Sequence, residues 1–258
     1  MKNKFSVSIA IALSLIIFIA IILIPLHKPK APPVKIPPVL KGRIAIVIDD
    51  WGYTKNNLEI IRQIKQPLTC AVLPNLKNTP EVVKDLHNFG FEIILHLPMQ
   101  PKEVKRLEKD TISVSMNQGQ IRKIITKDLA NLVFAKGVSN HMGSRVTQDT
   151  KTSTMVMQEI KKRNLYFLDS FVTAKSVCAP IAKKIGLRFA KRDVFLDNQG
   201  NQEYIKNQIS ELKKIANLKG IAIGIGHDRK NTLLVLKEVL PKLAKEGYKF
   251  VFVSEIAR

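Results

Sequence analysis

Between residues 42 and 258 the chain alternates short apolar, β-branched runs with amphipathic segments of helical period, seven or eight times over. The runs fall at 44–48, 68–73, 91–95, 137–140, 165–168, 188–190, 220–225 and 249–253, and the helical patterns at 55–65, 79–88, 118–134, 151–162, 176–185, 202–218 and 232–246. This switching of period predicts strands alternating with helices. Such an order forces parallel strands and right-handed crossovers, because a parallel neighbour is reached only through a long connection. No Asn-Gly pair joins two runs as a hairpin would require. The expected fold is therefore α/β, a deformed (β/α) barrel with seven or eight parallel strands. A doubly wound open sheet is the alternative, but the first run is not followed by the Gly-x-Gly-x-x-Gly turn expected there.

The first forty or so residues are of a different kind. Residues 5–26 are uncharged, with Ser6, Ser8 and Ser14 as their only polar members. At a helical rise of ~1.5 Å per residue such a run is long enough to cross a hydrocarbon core. Six of the thirteen prolines follow between residues 25 and 38, interleaved with lysines, which makes a poor signal-cleavage site and favours an extended polyproline stalk. The expected organisation is a cytoplasmic stub and transmembrane signal anchor over 1–26, a stalk over 27–41 and a catalytic domain over 42–258. That domain would lie on the extracytoplasmic side, or be secreted if the segment is cleaved.

The formal charge of +21 first suggests nucleic acid. Its distribution argues otherwise, since the basic residues are scattered through helical segments and not interleaved with aromatics. No nucleic-acid partner is expected, and an anionic membrane surface or acidic cell-wall polymer suits the charge better. With 45% hydrophobic residues the chain is no disordered polyelectrolyte. Cys70 and Cys178 have no paired spacing, so neither a disulfide framework nor a thiolate zinc cluster is expected.

In (β/α) barrels the chemistry sits at the carboxyl ends of the strands. After the first run come Asp49-Asp50-Trp51-Gly52-Tyr53, after the third His96-Leu97-Pro98-Met99, after the fourth His141-Met142-Gly143-Ser144-Arg145, after the fifth Asp169-Ser170 and after the seventh Gly226-His227-Asp228. Three of the five histidines thus fall at strand ends. One carboxylate with two imidazoles makes an open coordination set for a divalent metal. Adjacent aspartates on an extended segment point in different directions, so Asp50 can ligate while Asp49 acts as general base, and His227 on the opposite rim supplies the acid.

These motifs resemble the divergent polysaccharide deacetylase family across essentially all of 42–258. The resemblance implies a deformed barrel that removes acetyl groups from envelope polysaccharide, with a divalent metal, zinc in the better-known relatives. It implies Asp50, His96 and His141 as metal ligands, drawn from three separate strand ends, because the His-Ser/Thr-x-x-His motif of those relatives has no counterpart in this sequence. Four further positions are candidates for substrate contact or support. Trp51 could stack on a sugar ring or pack at the rim, and Arg145 could orient a carboxylate or close a loop with Asp149. Asp169 could hold a ligand histidine or simply a turn, and Arg192 could meet substrate or form a loop salt bridge. A non-catalytic sugar-binding module on the same barrel and a metal-dependent phosphoesterase are the competing functional readings.

Overall fold

The computed structural model describes residues 40–258. The expected anchor, and the stalk up to residue 39, lie outside the described residues; among those described, no helix is long and apolar enough to cross a membrane. In chain order the elements are β1 (Gly42–Trp51), α1 (Leu58–Ile61), β2 (Thr69–Val72), α2 (Thr79–Asn88), β3 (Glu92–Met99), α3 (Gln118–Ala130), β4 (Ala135–Met142), α4 (Thr150–Lys162) and β5 (Tyr166–Asp169). They continue with α5 (Cys178–Ile185), β6 (Phe189–Lys191), β7 (Val194–Phe195), α6 (Gln202–Lys219), β8 (Ile221–His227), α7 (Lys230–Lys245) and β9 (Tyr248–Phe250).

The strands run in the order β6-β5-β4-β3-β2-β1-β8-β7, with β9 added beside the start of β1, and the pairings are parallel. β6 pairs with β5 while β7 pairs with β8, and only Arg192 and Asp193 separate them in the chain. One bent stretch therefore touches both edges of the curled sheet, which makes the deformed barrel. The segment β7 has no counterpart among the expected strands, because two residues carry no periodic signal. Helix α1 is shorter than the expected 55–65 and has no side-chain cap. Conversely β3 and β4 run further than expected, so His96 and His141 stand inside their strands and not after them.

Each strand has two faces. Ile44, Ile46 and Ile48 pack outward among helix residues such as Val82, Leu86, Leu233 and Leu236, whereas Ala45, Val47, Ala71, Ile94, Tyr166, Leu168, Ala190, Ile223 and Ile225 fill the barrel interior. Small residues make room for large ones: a Cβ on Gly137 would lie 2.5 Å from the Tyr166 ring, so the ring occupies the space glycine leaves. The chain's last residues plug the amino-terminal end of the barrel, where Val251, Val253, Ile256 and Ala257 join the interior cluster. Buried Glu92 is satisfied there by the hydroxyls of Thr69 and Tyr166 and the backbone N–H of Ser254. At the opposite end, the inward side chains at the carboxyl ends of the strands line a cavity of their own.

Candidate metal centre

The inward row of β1 reads Ala45, Val47, Asp49, and simple alternation would send Asp50 outward to the helices. It does not go there. Asp50 adopts a left-handed backbone (φ 67°), and the β1–β2 register shifts between Ile48 and Trp51. This kink brings both carboxylates to the mouth, which corrects the expectation that they diverge because the segment is extended. A non-glycine residue in that region costs of order 1–3 kcal/mol and is held by its surroundings.

Asp50 is the hub of the cluster. Its Oδ1 lies 3.0 Å from His141 Nδ1 and 3.3 Å from His96 Nε2, and donor atoms of the three residues all fall within 4.8 Å of one another. Burial pushes the Asp50 carboxyl up, but the hydrogen bonds from His141 and His96 outweigh it and hold the group below the usual carboxylate range. Burial lowers His96 to about 4, leaving its imidazole neutral near pH 7 and able to ligate. Its Nδ1 is 2.8 Å from the Ser139 hydroxyl, which fixes the ring with Nε2 toward the aspartates. A carboxylate and two imidazoles from three strands are a donor set that fits a divalent cation.

Asp49 is 3% exposed, its Oδ2 is 3.6 Å from His96 Nε2, and its Oδ1 has no hydrogen-bond partner. Burial, with Asp50 and Asp197 nearby, raises its pKa well above the ordinary value, while the Arg192 charge works in the opposite direction. Across the mouth, His227 Nδ1 is 2.8 Å from Asp197 Oδ1, and its Nε2 is 3.9 Å from Asp50 Oδ2. Burial pushes Asp197 up, yet His227 and Thr232 hold it below the ordinary carboxylate value, so the carboxylate accepts and Nδ1–H donates. Asp49, Asp50, His96, His141 and His227 line a cavity of about 280 Å³ with Asn140, Ser170 and Phe195 in its wall and Glu103 and Lys105 from the β3–α3 loop.

The four further candidates fare differently. Trp51 is fully buried in the helix-facing core, so it offers no face to a sugar. Arg145 is exposed and is not in the cavity wall; Asp149, its expected partner, instead caps α4 by accepting from Thr152 N–H. Asp169 meets no histidine: it accepts from Phe171 N–H and the Ser176 hydroxyl, which makes it the holder of a turn. Arg192 donates to the carbonyls of Ser170 and Phe171 and lies 4.5 Å over the Phe195 ring, placing its charge behind Asp49. The histidine-holding carboxylate is Asp197, which stands just after β7, outside the expected strands and helices. Only the β7–β8 pairing, with Phe195 opposite Ile225, carries it there.

Parallel strands curled around an Asp/His mouth fit the class of the polysaccharide deacetylase barrels. Residues 46–257 match the divergent polysaccharide deacetylase family, and the chain belongs to it. It is 36% identical to the uncharacterised protein YibQ of Escherichia coli K12 over 206 residues, 80% of this chain and 65% of that one, so it spans just under two thirds of that relative. An uncharacterised protein of Agrobacterium tumefaciens C58 has the same fold (TM-score 0.80, 24% identity, 87% of this chain and 92% of that one). A family 4 carbohydrate esterase from Streptomyces lividans, solved with acetate, shares the fold more distantly (TM-score 0.58, 15% identity, 85% and 97%).

Proposed function

We propose that the protein is a metal-dependent hydrolase that removes acetyl groups from an envelope polysaccharide. One observation carries this reading: Asp50, His96 and His141 converge in the same cavity as the buried Asp49 and the Asp197-held His227. Asp50, His96 and His141 would hold the ion, zinc being the choice that suits two imidazoles and a carboxylate without thiolates. When bound, a divalent cation acidifies water and polarises the acyl carbonyl. Asp49, with one oxygen free and Arg192 behind it, accepts the proton of the attacking water. His227 delivers a proton from Nε2 to the departing sugar nitrogen or oxygen, and Asp197 on Nδ1 keeps the ring oriented and stabilises its cationic form.

The domain is proposed to work outside the cytoplasm, tethered through the apolar run at 5–26. The purified protein, incubated with acetylated oligosaccharides and zinc, cobalt or manganese, is expected to release acetate and to stop when chelator is added. No acetate release, together with no metal retained by the protein, would reject the reading.

A further inference from the structure

Inward side chains near the carboxyl ends of four strands line the mouth: Asp49 from β1, His96 from β3, His141 from β4 and His227 from β8. Ser170 lines the same cavity. On β5 the inward row is Tyr166, Leu168 and then Ser170, and since Leu168 pairs with Ser139, continuing the register sets Ser170 beside His141. A backbone device recurs as well. The residue after Asp49, after His141 and after Ser170 is in each case a non-glycine in the left-handed region: Asp50 (φ 67°), Met142 (φ 53°) and Phe171 (φ 49°).

The surroundings of Ser170 hold it on every side but one. Its N–H donates to Asn140 Oδ1, its carbonyl accepts from Arg192 Nε, and the next carbonyl accepts from Arg192 Nη2. The residue is 3% exposed, lines the cavity and has a hydroxyl with no hydrogen-bond partner. A buried hydroxyl left unpaired costs about 1–3 kcal/mol, so a fixed and unpaired one in a cavity wall, itself almost closed to solvent, calls for a ligand that reaches it. Among the described residues no base hydrogen-bonds the Ser170 oxygen, so the arrangement that activates a serine nucleophile is absent there.

We propose that the Ser170 hydroxyl donates a hydrogen bond to the acyl oxygen of the substrate, the atom that gains negative charge as water adds to the carbonyl. No bond to serine forms: the hydroxyl keeps its proton and donates more strongly as charge develops, which favours the transition state over the bound ester or amide. The inference rests on the hydrolase reading for its substrate. The test is Ser170→Ala in the full-length protein, with zinc content by elemental analysis, thermal melting, kcat and KM on an acetylated oligosaccharide, and acetate affinity of the zinc-loaded protein by calorimetry. The expected result is unchanged zinc content, an equal or higher Tm, kcat lower by about 10²–10³ at a nearly constant KM, and weaker acetate binding. Ser170→Thr, which retains a hydroxyl, should recover part of the loss. A Ser170→Ala protein with wild-type kcat and acetate affinity, or one that melts several degrees lower and loses zinc, overturns the proposal. If the wild type hydrolyses no acetylated glycan, the hydrolase reading fails, and the acetate titration still decides the role of Ser170: weakened affinity supports it, unchanged affinity rejects it.

Discussion

At Asp49 and Asp50 two neighbouring carboxylates are pulled to opposite ends of the acidity range by what surrounds them. Two imidazoles donate to Asp50, so it stays ionised and offers charge to a cation; Asp49 is buried among carboxylates with one oxygen unpaired. The two therefore separate by substitution. Asp50→Asn should weaken zinc binding by at least ~100-fold, a ligand being worth no less than the outer partners that support ligands. Asp49→Asn should retain zinc and lose about 10²–10⁴ in kcat, the range of a positioned base. Calorimetric zinc titration and steady-state kinetics on both variants check this, and equal zinc loss in the two would dissolve the division of labour. The paired aspartates and the strand-end histidines were legible in the sequence because such groups rarely cluster at the ends of apolar runs by chance. Asp197 and Ser170 were not, since the first depends on a strand of two residues and the second shows its character only through the partner it lacks.

Among the elements, α3 and α4 are joined by a residue that looks like ordinary helix surface. Glu159 occupies a position where glutamate usually meets water, yet it is 1% exposed and accepts from Gln118, Arg163 and Lys162, with Arg122 at 3.4 Å. Burial pushes its carboxyl up, but Arg163, Lys162 and Gln118 outweigh it and hold the group at about 2. An unfolded glutamate titrates near ~4.3, so the folded state favours the ionised form; that stability is present above about pH 5 and is lost as pH falls toward 2. The partners Lys162 and Arg122 are more than half exposed, which cuts the contribution to about 1–2 kcal/mol. Glu159→Gln should lower Tm by roughly 2–8 °C at pH 7, with the gap to wild type cut to about half by pH 3 and closing only toward pH 2. A gap that persists unchanged at pH 3 would assign the loss to packing and not to charge. The strand and helix order was readable because apolar period survives in single elements. What escaped were features set between elements: the burial of Glu159, the kink at Asp50 and the corner between β6 and β7.

Across the whole molecule, charge is divided between an acidic floor and a basic exterior. Residues 1–41 hold six of the 42 basic residues and none of the 21 acidic ones, so 42–258 carries about +15. The cavity floor holds Asp49 and Asp50, whereas the β3–α3 loop at its rim carries Lys102, Lys105, Arg106 and Lys109. The acids of that loop are already engaged, Glu103 by the Ser144 hydroxyl, Glu108 by Tyr53 and Asp110 by Lys127. The hydroxyls leave the charges of Glu103 and Glu108 in place and Lys127 offsets Asp110, so the four cations of the loop keep a modest excess that an approaching polymer meets, while a neutral acetyl group can still reach the floor. Fields of this kind act over a screening length of ~10 Å at 0.1 M salt and weaken as salt rises. An anionic envelope polymer should therefore bind the protein at 20 mM salt and release it by about 300 mM, with the dissociation constant rising at least ~10-fold across that range. A neutral acetylated oligosaccharide of equal length should show little change in KM over the same titration. Equal salt dependence for the polymer and the oligosaccharide, or no retention of the anionic polymer at low salt, would remove electrostatic capture from the account and leave the basic exterior without a role in polymer approach.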